Sequence, residues 1–168
     1  MRRKVILIVL FVSGCSFLMA SSATRTPANL TGEDMKGKAV TADVFKDYDV
    51  TMVNIFTTWC GYCIDEMPEL NKLYSQLPKN ANIIGICADA YEKPDDLVAI
   101  VDYFELKFPV VKMTDAQVDQ IYNVIGYPTT IFVDKNGKLL QVITGAPKNP
   151  LKDYGGMINN LLDKTKAK

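Results

Sequence analysis

Apolar and polar residues alternate along most of the chain in blocks that predict strands and helices in turn. Residues 50–56 and 82–88 are almost continuously apolar and rich in β-branched side chains, which is typical of strands buried on both faces of a sheet. Residues 108–111 predict a further short strand. Residues 129–144 contain two apolar segments separated by the turn sequence Asp134-Lys135-Asn136-Gly137, which predicts a β-hairpin.

Four segments between and after these strands have apolar residues at the spacing of amphipathic helices. The first ends at Pro78, the second begins at Pro94 and the fourth begins near Pro150. The third has capping-box spacing at residues 114–117 and is closed by Gly126. Its expected buried residues are Val118, Ile121, Tyr122 and Ile125. The order of elements predicts an α/β fold, with a central and partly parallel sheet covered by helices on both faces.

Residues 1–14 have the pattern of an export signal. A basic start, residues 2–4, precedes an apolar run from Val5 to Val12, which is shorter than the ~20 residues needed to span a bilayer. The rest of the chain is therefore expected outside the cytoplasm. Residues 12–15, Val-Ser-Gly-Cys, resemble the lipobox of bacterial lipoproteins, which implies cleavage before Cys15 and its lipidation.

The alternative is ordinary cleavage further along, for example after Ala23, which would give a secreted or periplasmic soluble protein. With cleavage before Cys15 we predict a flexible tether over residues 15–29, because Ser, Thr, Pro and Ala are frequent in its second half. One domain would occupy residues 30–163, and residues 164–168 would form a solvated basic tail. We expect a monomer that a lipidated Cys15 anchors to the cell membrane.

Composition excludes several kinds of chemistry. The 168 residues include no histidine, so the chain has no Ser-His-Asp or Cys-His dyad and no histidine-ligated zinc or haem. We therefore expect no metal and no cofactor. The 19 basic and 19 acidic residues are balanced, which argues against a nucleic-acid partner. Without residues 1–14 the balance is 16 to 19, so the exported part is mildly acidic.

The most informative motif is Cys60-Gly61-Tyr62-Cys63, placed where a buried strand is followed by a helix. Cys60 would cap the helix, whose free N–H groups and dipole stabilise a thiolate, the nucleophilic form of cysteine. Cys63, one turn later, could then attack a mixed disulfide on Cys60. One alternative is that the two cysteines form half of a zinc site, but the sequence contains no second Cys-x-x-Cys pair. A purely structural disulfide is the other, although so small a loop gains little stability.

Two separated motifs resemble the thioredoxin-like TlpA/ResA family of extracytoplasmic thiol–disulfide oxidoreductases. The first is Asn54-Ile-Phe-Thr-Thr-Trp-Cys-Gly-Tyr-Cys63 followed by Glu66-Met-Pro-Glu-Leu70, and the second is Gly126-Tyr-Pro-Thr-Thr-Ile-Phe-Val-Asp134. The resemblance implies a thioredoxin-like fold over about residues 30–163, with the family's strand–helix insertion. It also implies that Cys60 attacks, that Cys63 resolves and that Pro128 is cis.

The same resemblance implies a substrate-binding surface. Trp59, Gly61 and Tyr62 would line it beside the cysteines, and the loop of Tyr127 and Pro128 would lie opposite. The backbone of Tyr127 would pair with an extended segment of the substrate, in the manner of an added strand.

A carboxylate for proton transfer is less clearly indicated. Thioredoxin itself has a buried Asp where this chain has Asn54, and the family places a carboxylate near the motif instead. Glu66 and Asp89 are the two candidates for a proton relay, and the pattern favours the alternative that they are solvated surface acids. Cys87 lies in a predicted buried strand, where we expect an inert thiol; a transient disulfide between Cys63 and Cys87 is the alternative.

The expected activity is thiol–disulfide exchange with exported proteins. The family resemblance implies a reductant, as in cytochrome c maturation or repair of exported proteins, with a membrane thiol carrier as electron donor. The alternatives are a disulfide-forming oxidant, a peroxiredoxin-like peroxide reductase and a non-catalytic binding module. Residues 57–60 fit the Thr-x-x-Cys piece of the peroxiredoxin motif, but Val53 stands where that motif has proline.

Overall fold

A seven-stranded mixed sheet lies at the centre of the protein, and the computed structural model describes residues 27–166. The strands are β1 (Thr31–Asp34), β2 (Ala39–Thr41), β3 (Val50–Phe56), β4 (Ala81–Cys87), β5 (Val110–Lys112), β6 (Thr129–Val133) and β7 (Leu139–Thr144). The α-helices are α1 (Gly61–Ser75), α2 (Pro94–Tyr103), α3 (Asp115–Tyr122) and α4 (Pro150–Lys166). Short 3-10 helices occupy Pro27–Asn29 and Ala42–Phe45.

The order of strands in the sheet is β2-β1-β5-β4-β3-β6-β7. The three strands β3, β4 and β5 are parallel, and the other pairs are antiparallel. Every residue of β3 and β4 is buried, as their apolar runs predicted. Because Phe56 pairs with Cys87, the carboxyl ends of these two strands lie at the same edge of the sheet. That edge carries the Cys60–Cys63 motif.

Helices cover both faces of the sheet, which confirms the predicted layers. On one face α1, α2 and α4 pack through residues such as Met67, Leu97 and Ile158. On the other face α3 and the 3-10 helix at residues 42–45 pack through residues such as Val118. The inserted helix and strand, α2 and β5, follow β4 and precede α3 along the chain. In the sheet, β5 adds a strand next to β4.

The end of α3 differs from the prediction. This helix stops at Tyr122, because Asn123 adopts a left-handed backbone conformation with φ 49° and its N–H bonds to the carbonyl of Asp119. Asn tolerates this conformation better than most residues. The expected burial of Ile125 is wrong, since its side chain is 81% exposed. Gly126 lies beyond the helix, in the loop that leads to Pro128.

Regular structure extends slightly beyond residues 30–163 at both ends of the described chain. Pro27–Asn29 form a 3-10 helix in which Pro27 is buried. Residues 164–166 form the last turn of α4, so the basic segment is helical up to Lys166. The leader, Cys15 and the rest of the tether lie outside the described residues. Within residues 27–166, no helix has the length and apolar character required to cross a membrane.

Candidate active site

Cys60 and Cys63 are joined in a disulfide at the amino-terminal end of α1, so the protein is described in its oxidised form. Cys60 is the N-cap of this helix, and its sulfur accepts a hydrogen bond from the Cys63 N–H at 3.3 Å. Its carbonyl oxygen also accepts from the N–H groups of Cys63 and Ile64. The sulfur of Cys60 therefore lies where the helix offers N–H donors to a negative charge. Cys60 keeps 6% exposure, whereas Cys63 is completely buried.

The loop before β6 lies beside this motif. Its Tyr127–Pro128 peptide bond is cis, which confirms the expectation from the family resemblance. The ring of Tyr127 meets Trp59 edge to face, with ring centroids 6.0 Å apart, and its hydroxyl donates to Asp115. Burial, together with this carboxylate, raises the pKa of Tyr127. The contact fixes the cis-proline loop against the residue that precedes Cys60.

The surface around the disulfide is rich in exposed apolar side chains. Trp59 is 70% exposed and Tyr62 is 76% exposed, although large aromatic residues are usually buried. A groove of about 400 Å³ continues from Tyr62 between the start of α1 and the loop before α4. Residues on its walls include Asp65, Glu69 and Lys148. A larger cavity of about 640 Å³ is lined by Asp49, Asp134 and Leu161, and it lies at the opposite end of β3.

Glu66, one of the two candidate carboxylates, is almost completely buried beneath the motif, with 2% exposure, and Asp89 is 5% exposed, so the expectation of solvated surface acids is wrong. Glu66 lies three residues after Cys63 on α1, so the two side chains share one face of the helix. Asn54 donates to one carboxylate oxygen at 2.7 Å, and the Tyr154 hydroxyl donates to the other at 3.4 Å. Burial raises the pKa of Glu66 from 4.5 to about 7, although these two hydrogen bonds oppose the rise.

Asp89, the second candidate, is bound in a different way. Its oxygens accept hydrogen bonds from the N–H of Thr58 at 2.9 and 3.1 Å and from the Thr58 hydroxyl at 2.7 Å. The Cys87 thiol donates to the same carboxylate at 3.2 Å. Asp89 therefore ties the end of β4 to the segment that leads into Cys60, two residues after Thr58.

Cys87 is fully buried at the end of β4 and is a free thiol. Burial and the adjacent Asp89 carboxylate raise its pKa, so the thiolate form is disfavoured. Sequence reasoning placed Cys87 correctly in a buried strand but missed the bond to Asp89. It also treated Tyr154 only as a core residue and gave Thr130 no role. The available signal was the presence of polar residues, Asn54 and Thr130, in strands that are otherwise apolar.

Comparison with known proteins agrees with this geometry. A family model described as AhpC/TSA matches residues 24–142. The thiol–disulfide oxidoreductase ResA of Bacillus thuringiensis subsp. konkukian is 35% identical over 127 residues, which cover 75% of this chain and 72% of that protein. ResA of Geobacillus kaustophilus is 30% identical over 152 residues, or 86% of each chain. The chain belongs to the AhpC/TSA family.

Within this family its relatives named ResA confirm the resemblance that the two motifs suggested, and the protein is a thiol–disulfide oxidoreductase. The thioredoxin-like fold is confirmed by solved structures as well. StoA from Bacillus subtilis matches with a TM-score of 0.65 at 16% identity, over 82% of this chain and 98% of that one. An exposed lipoprotein thioredoxin from Streptococcus pneumoniae matches with a TM-score of 0.65 at 18% identity, over 81% and 99%.

Proposed function

We propose that this oxidoreductase is a reductant of disulfides in exported proteins, held at the outer face of the cytoplasmic membrane by a lipidated Cys15. The observation that carries the proposal is the position of Cys60, whose sulfur caps α1 and already accepts an N–H hydrogen bond in the oxidised form. In the reduced protein the same N–H donor and the helix dipole favour the Cys60 thiolate, which starts the exchange.

The reaction then proceeds in two steps. The Cys60 thiolate attacks one sulfur of the substrate disulfide, so a Cys60–substrate disulfide forms and the other substrate sulfur leaves as a thiol after taking up a proton. Cys63 next loses its proton and attacks the sulfur of Cys60. The second substrate sulfur leaves, and the Cys60–Cys63 disulfide forms. The substrate gains two electrons from the protein. A membrane thiol carrier would later reduce the Cys60–Cys63 disulfide again by supplying two new electrons.

Glu66 is the proposed acceptor of the Cys63 proton. It is buried on the same helix face one turn from Cys63, and burial raises its pKa to about 7, which suits a group that exchanges protons near neutral pH. Asp89 fits this role less well, because its contacts are with Thr58 and Cys87. We therefore assign proton transfer to Glu66 and not to Asp89.

The substrate would lie across the disulfide and the cis-proline loop. The backbone beside Pro128 can pair with an extended segment, and the exposed rings of Trp59 and Tyr62 provide apolar contacts on the other side. Gly61 is exposed between them, and a side chain at this position would meet no other atom within 4 Å. This open surface is suited to segments of varied sequence.

The deciding measurement is the equilibrium potential of the Cys60–Cys63 pair against glutathione. A reductant should lie near the thioredoxin value of about −270 mV, whereas a value near about −120 mV would support the disulfide-forming alternative. Cys87→Ala is the matched control, since it removes the third thiol of the domain and leaves the pair intact. Fractionation of cells that express the full chain, with and without Cys15→Ala, tests the anchor. Loss of the protein from the membrane fraction in the variant is the expected result.

A further inference from the structure

Glu66 belongs to a closed ring of four buried polar side chains. The ring joins α1, β3, β6 and α4 through Glu66, Asn54, Thr130 and Tyr154, and none of the four is more than 2% exposed. Its links are Asn54 to Glu66 at 2.7 Å, Asn54 to Thr130 at 3.1 Å, Thr130 to Tyr154 at 3.0 Å and Tyr154 to Glu66 at 3.4 Å. Such a network is energetically important, because a buried polar group that loses its partner is costly.

The hydrogen bonds in this ring run from the Asn54 amide, as the donor, to the Glu66 carboxylate, as the final acceptor. One N–H of the Asn54 amide donates directly to the carboxylate, and the other donates to the oxygen of Thr130. The Thr130 hydroxyl is then free to donate to Tyr154, whose own hydroxyl donates to the second carboxylate oxygen. One N–H of Asn54 therefore donates directly to Glu66. The other N–H begins a chain of hydrogen bonds that passes through the Thr130 and Tyr154 hydroxyls and reaches the second oxygen of Glu66.

The carbonyl oxygen of Asn54 supports this direction. It is buried and has no hydrogen-bond partner among the described residues, whereas both N–H groups of the amide are used. The amide is thus oriented by its donors, which suits an acceptor-only carboxylate. If the amide of Asn54 were turned over, its two N–H groups would lie where its oxygen now has no partner. Two buried donors would then be unpaired instead of one buried acceptor.

We propose that Tyr154 and Thr130 form a second donor arm that stabilises the ionised form of Glu66, which makes Tyr154 a positioning residue for proton transfer from Cys63. The inference deepens the proposed function, because it rests on Glu66 as the proton acceptor. Without this arm one oxygen of Glu66 would lose the hydrogen bond from Tyr154. The carboxylate would then hold its proton more tightly and accept the Cys63 proton only at higher pH.

Few other charges act on Glu66. The strands β3 and β6 contribute Asn54 and Thr130 to the ring, and neither side chain is ionisable. The titratable groups next to Glu66 are Cys63 on the same helix and Tyr154 on α4. Asp65, Glu69 and Lys148 line the groove that Glu66 also lines, and Asp153 acts on Tyr154. Glu69 accepts a hydrogen bond from the N–H of Leu151 at 2.9 Å. A change confined to the Tyr154 hydroxyl therefore leaves these surrounding charges in place.

The test follows the Glu66 carboxyl carbon by NMR across pH in the oxidised protein, with Glu66→Gln used to assign its signal. Tyr154→Phe removes the hydroxyl and keeps the ring that packs near Phe132. We expect the Glu66 midpoint to rise by about half a pH unit, or about threefold in proton affinity, because hydrogen bonds to a charged group are stronger than those to a neutral one.

Tyr122→Phe is the matched control. Tyr122 is also fully buried, but it lies on the opposite face of the sheet and its hydroxyl has no partner among the described residues. It should leave the Glu66 midpoint unchanged. Thr130→Val removes the middle of the arm from a different element and should also raise the midpoint, which keeps the test valid if Tyr154→Phe does not fold.

A measurement on the Cys60 mixed disulfide separates this inference from the proposed function. The Cys63 midpoint, measured as the pH midpoint of the rate at which Cys63 releases a mixed disulfide from Cys60, should rise with that of Glu66 in Tyr154→Phe, because only the ionised carboxylate can accept the proton. If the carboxyl midpoint rises and the Cys63 midpoint does not, the donor arm exists but Glu66 is not the proton acceptor, and the positioning role is overturned with it. A Glu66 midpoint equal to that of the wild type in a folded Tyr154→Phe or Thr130→Val protein overturns the donor arm itself.

Discussion

The buried Glu66 should make the stability of the oxidised protein fall as the pH rises. Its pKa is about 7 in the folded state and 4.5 as an ordinary glutamate. Between these values the folded protein holds a proton that the unfolded chain has released. The stability gained from that proton is therefore full below pH 4.5, falls steadily as the pH rises from there, and is lost once the pH has passed 7. Glu66→Gln removes the titration and, with it, this loss.

The magnitude follows from the shift. One pH unit corresponds to about 1.4 kcal/mol, so a rise from 4.5 to about 7 gives ~3 kcal/mol in full. Part of the transition falls outside the range from pH 5 to pH 8, which leaves about 2.5 kcal/mol within it. Over this range the wild type should lose about 2.5 kcal/mol of stability relative to Glu66→Gln, a large fraction of the total stability of a domain.

Urea unfolding at pH 5 and pH 8 measures this difference, with the disulfide kept intact in every sample. All other titrating groups are common to the two proteins, so they cancel when the pH dependence of the variant is subtracted. Glu92→Gln, at an exposed carboxylate after β4, serves as the control and should follow the wild type. Equal pH dependence in wild type and Glu66→Gln would show that Glu66 is ionised throughout, and the reasoning would fail.

Three further outcomes follow from contacts elsewhere. Asp89→Ala leaves the N–H and hydroxyl of Thr58 without their acceptor and should cost about 1–3 kcal/mol in urea unfolding; an unchanged midpoint would contradict the anchoring role. Cys87 should resist iodoacetamide in the folded protein and react only in denaturant, because burial raises its pKa. Gly32→Ala should destabilise by about 1–3 kcal/mol, since a Cβ there would lie 2.8 Å from the backbone oxygen of Lys112, and thermal unfolding would report the loss.

The central strands and the active-site helix could be predicted because their sequence patterns are dictated by burial. Residues 50–56 are apolar since both faces of β3 are covered, and the observed bounds agree with the prediction. The hairpin of β1 and β2 escaped notice for the opposite reason. Thr31–Asp34 is short, mostly polar and only partly buried, so its strand character comes from pairing with Val111 and Lys112 of β5, about 80 residues away in the chain.

The end of α3 shows a limit of periodicity. Ile125 continues the three- and four-residue spacing of Val118, Ile121 and Tyr122, so the pattern extends past the true end of the helix. The chain leaves this helix at Asn123 because it must reach the cis-proline loop beside the disulfide. Ile125 therefore lies in the loop that leads to the cis-proline and is exposed, although the helical spacing predicted that it packs in the core.

The two carboxylates show why the sequence could name candidates for proton transfer and not choose between them. Glu66 and Asp89 are both acidic, both close to the motif and both buried. What distinguishes them is the set of donors that distant elements bring to each one. Asp89 receives three donor groups from Thr58 and Cys87, so it holds the loop in place. Glu66 receives one short hydrogen bond from Asn54 and a longer one from Tyr154 of α4, too little to offset its burial, which is why we propose Glu66 as the acceptor of the Cys63 proton.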